Sequence, residues 1–334
     1  MAEPVAPHQP TCAADHLRPF GLAAIPTSHR GAAAAATTEQ QNGSANGSAN
    51  GHAIKPTESK TGDNEVPPLP TVIARIHARV QAFLAETHPP DSILASVQQQ
   101  TRISLDVVTS ALSKYKLSEL SLSYNGGKDC LVLLILFLAG LHPYNTHVQN
   151  DEPSSTSDNP SIPSIYALPP DPFASVEDFV ITSAEAYHLS ITKYTTDPPH
   201  TTLRSTFEDY LSRHSSIRAI FVGTRRTDPH GAQLTHFDRT DSGWPDFMRI
   251  HPVIDWHYAE IWAFIRHLGL EYCALYDMGY TSLGGTSDTH PNPKLQVDKA
   301  EAGGSDGRYL PAYELTEDRE ERLGRESYFK FLMP

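Results

Sequence analysis

Apolar residues recur at helical spacing from residue 71 of this 334-residue chain. Positions 73, 76, 80, 83 and 84 are apolar and share one helical face, so the pattern predicts a helix that Pro89 and Pro90 end. Asp91 can cap a second helix, whose apolar stripe runs on to Tyr115. Both stripes are typical of helices that face a core.

Strand-like and helix-like segments alternate further along the chain. The predicted strands are 118–124, 164–168, 189–194 and 217–223. The predicted helices are 129–138, one capped by Ser175, one starting at Thr201 or Thr202, and 259–268. This alternation predicts an α/β, Rossmann-like fold: a mainly parallel sheet with helices on both faces, preceded by the two N-terminal helices. In such sheets ligands bind beyond the carboxyl ends of the strands.

The first 70 residues differ from the rest in composition. Only Phe20 of the 29 aromatic residues lies before position 71, and the segment contains low-complexity runs such as NGSANGSANG. Such a segment buries too little apolar surface to offset its ordering entropy, which predicts a disordered tail over 1–70. The prediction for 71–334 is one domain, divided into N-terminal helices (71–116), a core (117–295) and a C-terminal arm (296–334). Residues 145–161 are polar and predict a surface insertion.

Charge and cysteine content narrow the classes of function. With 26 Lys and Arg against 39 Asp and Glu, the net charge is −13, which disfavours a nucleic-acid partner. Three isolated cysteines without a C-x-x-C pair favour a reducing compartment. The longest apolar run, 131–139, is far shorter than a membrane span and predicts a buried helix. The N-terminus lacks the pattern of a secretory signal, so we expect a cytoplasmic protein; a mitochondrial presequence is the less favoured alternative.

The segment Ser-Tyr-Asn-Gly-Gly-Lys-Asp-Cys at 123–130 carries the strongest candidate chemistry. It joins the first predicted strand to the most apolar predicted helix. Gly126 and Gly127 allow a sharp turn close to a ligand, and the free N–H groups of a helix start attract anions. Lys128 adds positive charge, and Asp129 offers the oxygen ligands that Mg²⁺ uses alongside phosphates. The spacing fits neither G-x-x-x-x-G-K-[ST] nor G-x-G-x-x-G, and an ordinary strand–helix turn is the alternative to a polyphosphate cradle.

This segment resembles the pyrophosphate-binding (PP) loop of the ATP pyrophosphatase-like families. Its spelling is similar to that of the eukaryotic, fungal-type FAD synthases, the FMN adenylyltransferases related in fold to phosphoadenylyl-sulfate reductases. Further matching motifs are GTRRTDP (223–229), WPDFMRIHPVIDWHYAEIW (244–262), YCALYDMGYTSLGG (272–285), THPNPKL (289–295), YLPAYEL (309–315) and EERLGR (320–325). The resemblance implies a PP-loop, adenine nucleotide alpha-hydrolase-like fold.

The resemblance also implies a reaction and a set of site residues. FMN and ATP would give FAD and pyrophosphate, with Mg²⁺ accompanying ATP and no nucleic acid or membrane as a partner. The residues implied for catalysis are Asn125, Asp129, Asp228, Arg322 and Arg325. Those implied for ATP and pyrophosphate binding are Ser123, Tyr124, Gly126, Gly127 and Lys128. Asp129 is the implied metal ligand.

The residues that the resemblance implies for flavin binding are Arg225, Asp241, Trp244 and Arg249. Asp241 would accept from the ring N–H edge, Trp244 would stack on the ring, and Arg249 would pair with an oxygen. Trp244 is as compatible with a core position, and we expect Trp256 and Trp262 in the core. Arg322 and Arg325 are three residues apart and would share one face of a helix; the alternative is a solvated helix end of alternating charge.

Other functions are also compatible with this predicted fold. A sulfur-nucleotide reductase would need a reactive cysteine near its C-terminus, but the last cysteine here is Cys273. An RNA-thiolating enzyme would normally show paired cysteines and a basic surface. An ATP sulfurylase-like enzyme lacks the flavin-like motifs, and a catalytically inactive flavin or nucleotide sensor would have lost Asn125, Asp129 or the arginine pair. The oligomeric state is not fixed by the sequence.

Overall fold

A computed structural model describes residues 66–148, 160–195, 202–297 and 308–326, which all belong to one compact unit beginning at Glu65. The tail expected at 1–70 lies outside the described residues except for 66–70. Of these, Leu69 and Pro70 belong to the first helix, which thus begins two residues before the predicted boundary. Most of the expected insertion at 145–161 also lies outside the described residues.

The elements follow one another as the alternating pattern indicates. The helices are α1 (Leu69–Ala85), α2 (Ile93–Lys114), α3 (Lys128–Val148), α4 (Ala174–Ala186), α5 (Leu203–Arg213) and α6 (Tyr258–His267). The strands are β1 (Leu120–Ser123), β2 (Ile162–Ala167), β3 (Leu189–Tyr194), β4 (Ala219–Phe221), β5 (Phe237–Arg239) and β6 (Met248–Ile250). Short 3₁₀ helices lie at Leu117–Glu119, Ala274–Met278, Pro293–Leu295, Ala312–Glu314 and Asp318–Glu320.

The six strands form one sheet in the order β3-β2-β1-β4-β6-β5. Every neighbouring pair is parallel except β5 and β6, which form an antiparallel edge. Leu122 on β1 pairs with Ser164 on β2 and with Phe221 on β4, which fixes β1 in the middle of the sheet. The expected mainly parallel α/β fold is confirmed, and the segment after β1 lies at the carboxyl edge where ligands bind.

Helix α3 is the centre of the core. Its residues 131–139 are each at most 1 % exposed, because α1, α2 and α6 cover the side that the sheet does not. A helix enclosed on all sides has no polar face, which explains the uninterrupted apolar run. The helix continues to Val148, ten residues past the predicted end at 138, and includes Gly140 and Pro143.

Some helix starts differ from the sequence prediction by one or two residues. Ser92, not Asp91, caps α2, its hydroxyl accepting from the N–H of Ala95 at 3.2 Å. Thr202 caps α5 as expected, at 3.1 Å from the N–H of Ser205. Helix α4 begins before Ser175 without a side-chain cap. Within the described ranges, no helix is both long and apolar enough to span a membrane.

Candidate active site

The loop between β1 and α3 is held in shape by its glycines and its asparagine. Gly126 has φ +72°, and a Cβ there would lie 2.8 Å from the Val180 side chain on α4. Only glycine meets both demands without strain. The Asn125 side-chain oxygen accepts from the N–H of Gly127 at 3.0 Å, while the amide itself stays exposed. The turn is therefore formed before any ligand arrives.

Two tyrosines anchor the loop from beneath. Tyr124 is 1 % exposed and its hydroxyl donates to Ser183 of α4 at 2.9 Å, so its side chain belongs to the core and only its backbone faces the loop. The hydroxyl of Tyr276 accepts from the N–H of Lys128 at 2.8 Å. Burial raises the pKa of both phenols, so they remain neutral donors and acceptors. Tyr276 was not singled out from the sequence.

Six charged side chains meet behind this loop, and we call them the ion cluster. Its members are Lys128, Asp129, Arg225, Asp228, Asp318 and Glu321. They come from the start of α3, the loop after β4 and the C-terminal arm. The cluster thus joins three segments that are far apart in the sequence.

Lys128 and Arg225 are the cations of the ion cluster. Lys128 is 2 % exposed, and its Nζ donates to Asp129 Oδ2 at 3.0 Å and to Glu321. Arg225 is fully buried; its Nε lies 2.8 Å from Asp129 Oδ1, and its Nη1 donates to Asp318 at 3.2 Å. Its Nη2 donates to Glu321. Glu321 therefore bridges both cations.

Paired charges keep Lys128 and Asp129 ionised. Burial alone would lower the pKa of Lys128, but Asp129 and Glu321 outweigh it and raise that pKa. Burial alone would raise the pKa of Asp129, but Lys128 and Arg225 outweigh it and lower that pKa. Two cations face four carboxylates, so the cluster carries about two excess negative charges by count.

Asp228 and the N-terminal end of α6 complete the surroundings of Arg225. The Asp228 carboxylate accepts from the N–H of Arg225 at 2.8 Å, closing a turn after β4. Asp318 accepts from the N–H of Tyr258 at 2.7 Å and from His257 at 2.6 Å, which fixes the arm against the start of α6. Asp228 and Asp129 thus both face Arg225, at 3.9 and 2.8 Å.

Arg225 does not lie with the other residues expected to bind flavin. Its guanidinium is buried among carboxylates rather than exposed to solvent, so the structure places Arg225 inside the ion cluster and not beside the other flavin candidates. The reason is the short turn after β4, which directs the side chain back under the loop rather than outward. Arg226, its neighbour, forms an exposed pair with Asp255 instead.

The remaining flavin candidates lie on the turn between β5 and β6 and on β6 itself. Arg249 Nη1 lies 3.6 Å from Asp241, and the Trp244 N–H donates to the Asp241 carbonyl at 3.0 Å. The Trp244 side chain is 38 % exposed, whereas Trp256 and Trp262 are buried as expected. The exposed indole is therefore available for stacking, and Asp241 is available as an acceptor.

The arginine pair is not on a helix. Residues 321–324 form turns after the 3₁₀ helix Asp318–Glu320, and the Arg325 N–H donates to the Arg322 carbonyl at 2.9 Å. The two side chains therefore separate: Arg322 is exposed, while Arg325 donates to Asp288 and to the Leu283 carbonyl, each at 2.8 Å. The shared-face expectation was wrong because the arm is shaped by Asp288 and the ion cluster rather than by helical hydrogen bonds.

The loop and the arm face a common cavity of about 320 Å³. Its walls include Asn125, Tyr166, Phe173, Thr206, Gly284 and Arg325. The hydroxyls of Tyr166 and Thr206 are buried and have no hydrogen-bond partner within the described residues. An apolar wall with a few polar groups, beside a glycine-rich loop, suits an adenine nucleotide.

The central strand of the mainly parallel sheet ends at this loop, and the loop faces the arm across a cavity. These features define a nucleotide-binding α/β domain of the PP-loop class. The sequence profile of the phosphoadenosine phosphosulfate reductase domain matches residues 119–291. The chain is 37 % identical to the probable FAD synthase of Schizosaccharomyces pombe over 259 residues, covering 78 % of this chain and 91 % of that protein. It is 34 % identical to the flavin adenine dinucleotide synthase of Saccharomyces cerevisiae over 222 residues, covering 62 % and 70 %.

The solved structures agree. The Candida glabrata FMN adenylyltransferase in complex with FAD and inorganic pyrophosphate superposes with a TM-score of 0.72 at 28 % identity, covering 79 % of this chain and 99 % of that one. This chain belongs to the FAD synthase family, within the phosphoadenosine phosphosulfate reductase domain family.

Proposed function

We propose that this chain is an FMN adenylyltransferase that converts FMN and ATP to FAD and pyrophosphate. A phosphate oxygen of FMN attacks the α-phosphorus of ATP, a new P–O–P bond forms, and the bond to the β-phosphate oxygen breaks as pyrophosphate leaves. The observation that carries the proposal is the preformed glycine loop facing the arm, in a family whose solved members hold FMN with an ATP analogue, or FAD with pyrophosphate.

Positioning and charge supply most of the rate in such transfers, so the site requires no protein nucleophile. The two cysteines in the described part of the chain also argue against a protein nucleophile. Burial raises the pKa of the Cys130 thiol to about 12 and also raises that of Cys273, so neither is a thiolate at neutral pH. Cys130 and Cys273 are thus packing residues, in keeping with nucleotidyl transfer rather than sulfur-nucleotide reduction.

The phosphates of ATP would lie over the loop. Ser123 ends β1, and the backbone at Gly126 and Gly127 offers the close approach that a phosphate needs. A phosphate oxygen can replace the Asn125 oxygen on the Gly127 N–H, which frees the Asn125 amide to donate to the nucleotide. Lys128 is neutralised by two carboxylates, so it acts by holding Asp129 ionised rather than by touching phosphate.

Asp129 fits the expected magnesium ligand. Mg²⁺ usually takes one or two carboxylates together with substrate phosphates. The Asp129 side chain is 20 % exposed and ionised, and its Oδ1 has no hydrogen-bond donor within the described residues although Arg225 lies close. The excess of carboxylates in the ion cluster also favours a divalent cation. When bound with ATP, Mg²⁺ would supply charge neutralisation at the phosphates, with Asp129 as its ligand and Asp228 nearby.

Two further segments complete the site: the β5–β6 turn would bind the flavin, and the C-terminal arm would bind phosphate. Trp244, Asp241 and Arg249 would hold the isoalloxazine ring at the β5–β6 turn, by stacking and by directional hydrogen bonds. Arg325 would bind phosphate oxygens from the cavity wall, because its guanidinium is already oriented by Asp288 and the Leu283 carbonyl. Arg322 is exposed and would turn inward only with substrate present.

The chain is also proposed to act in the cytoplasm on these small molecules alone, through the single domain 71–334. Cell fractionation with an antibody to the protein tests the compartment. Enrichment of the chain in mitochondria would replace this assignment.

The decisive experiment incubates the purified chain with Mg²⁺-ATP and FMN and separates the flavins by chromatography. We expect FAD and pyrophosphate in equal amounts. Tight binding of FMN or ATP without FAD formation would instead indicate a sensor. Neither binding nor product would overturn the flavin assignment.

Asp129→Asn tests the role of the ion cluster in the same assay. The change keeps the size of the side chain but removes the charge that holds Mg²⁺, so we expect kcat/KM to fall at least about 100-fold, as when an electrostatic group is lost from a phosphoryl-transfer site. Asp106→Asn, on the exposed side of α2, is the matched control and should retain full activity. Equal activity of the two variants would refute the metal role of Asp129.

A further inference from the structure

A second group of metal-ligating side chains lies away from the cavity, where α1 and α6 end. Glu86 caps the C-terminus of α1, His88 follows two residues later, and His267 is the last residue of α6. The ligand atoms of all three lie within 4.8 Å of one another. We call these residues the His–Glu–His group.

The three ligand atoms already converge on one point. Glu86 Oε2 lies 2.8 Å from Nε2 of His88 and 2.8 Å from Nε2 of His267. Zinc sites place nitrogen and carboxylate oxygen about 2.0–2.2 Å from the ion, which separates neighbouring ligands by about 3.3 Å. Shifts of about an ångström in these partly exposed side chains would therefore admit the ion.

The backbone and rings around the group are held in place. Gln98 of α2 is 7 % exposed and donates to the carbonyls of Phe83 and Glu86, at 2.7 and 2.9 Å, which fixes the end of α1. The Phe83 ring is buried and packs against both imidazoles, with centroid distances of 5.0 Å to His267 and 6.3 Å to His88. The backbone that carries Glu86 and the rings of both histidines are thus held by contacts with buried residues.

We propose that the His–Glu–His group binds one divalent transition metal ion, with zinc as the ion its ligands suit best. Two imidazoles and one carboxylate form a three-ligand zinc set, and water from the exposed side completes the coordination. The carboxylate offsets part of the charge of the ion. Because Glu86 and His88 directly follow α1 and His267 ends α6, the bound ion would tie these two chain segments together and stabilise the fold.

This site is independent of the proposed catalysis. His257 at the start of α6 contacts the ion cluster, whereas His267 lies at the other end, about 15 Å along the helix. The bound metal would therefore stabilise the chain without taking part in adenylyl transfer. Its presence can be measured on protein that holds no nucleotide.

The test titrates Zn²⁺ into the full chain after dialysis against a chelator, by calorimetry, and follows the melting temperature in parallel. We expect the double variant His88→Ala/His267→Ala to bind one Zn²⁺ fewer per chain than the unchanged protein. We expect Zn²⁺ to raise the melting temperature of the unchanged protein more than that of the variant, since a ligand that binds only the folded state stabilises it. His142→Ala, whose imidazole stacks on His77 outside the group, is the matched control and should keep the site.

Glu86→Gln separates loss of the ligand from loss of the fold. It keeps the shape of the side chain and should weaken Zn²⁺ binding at this site at least about 10-fold. Its metal-free melting temperature serves as the check that the chain is folded. Equal zinc stoichiometry and affinity in the double variant and the unchanged protein would overturn the proposal, as would an absence of zinc binding at micromolar concentration. Either result would leave the three side chains as a hydrogen-bonded contact between helix ends.

Discussion

Glu321→Gln is the sharpest test of how the C-terminal arm is held. The Glu321 side chain is 6 % exposed and accepts from both Lys128 and Arg225. Glutamine keeps the volume but removes the charge, and loss of one partner from a buried ion pair costs about 3–5 kcal/mol. Lys128 retains Asp129, and Arg225 retains Asp129 and Asp318, so we expect the lower end, about 3 kcal/mol.

The expected loss is large enough to measure directly. In a folded unit of this size 1 kcal/mol lowers the melting temperature by about 2–4 °C, so the change should lower it by about 6–12 °C. Thermal unfolding followed by circular dichroism at pH 7 measures this shift. Glu317→Gln is the matched control in the same arm: it is 57 % exposed, its paired cation Arg319 lies 3.8 Å away, and the expected effect is below about 0.5 kcal/mol.

The same variant should also affect catalytic activity. Glu321 anchors the segment that ends at Arg325, so a loosened arm should also lower kcat/KM for FAD formation, whereas Glu317→Gln should leave it unchanged. The reasoning fails if Glu321→Gln melts with the control or above it. That result would show that relief of repulsion among the four carboxylates outweighs the two lost pairs.

Two further predictions concern the loop and a buried histidine. Gly126→Ala should cost about 1–3 kcal/mol and weaken ATP binding, because φ is +72° and the new methyl would meet Val180. Urea unfolding measures the loss of stability, and ATP titration measures the loss of binding. A loss of stability no larger than that of Gly243→Ala would contradict the clash, because φ there is +87° but the nearest atom, Arg204 Nη1, would be 3.7 Å from the new methyl. Burial, with help from Arg249, lowers the pKa of His251 to about 4, so the folded state stays neutral while the unfolded state takes up a proton near pH 6.5. This contribution to stability is complete above pH 6.5 and falls by about 3 kcal/mol as the pH drops to 4. His251→Gln should flatten this part of the curve of unfolding free energy against pH. An unchanged slope would refute the assignment.

The sequence by itself determined the features that depend on neighbours along the chain. The run of apolar residues at 131–139 required a helix enclosed on all sides, and the alternation of segments required a mainly parallel sheet. The two glycines of the loop, followed by Lys128 and Asp129, predicted an anion site at the end of β1, where the structure places the loop. Each of these follows from local conformational preference or from periodicity, which the one-dimensional pattern contains.

The tertiary structure alone decided which charges meet. Glu321 is 193 residues from Lys128, and the segment around it alternates in charge like a solvated surface, so no local signal marked it as buried. The sequence likewise contained no local signal for the position of Arg225, which was predicted to contact the flavin. An arginine fits either place, and only the turn after β4 sets the direction of its side chain. Strands β5 and β6 are three residues each, and they exist because β4 offers a free edge to pair with. Burial of a charge depends on partners brought together by the whole fold, and that information appears only when the chain has closed on itself.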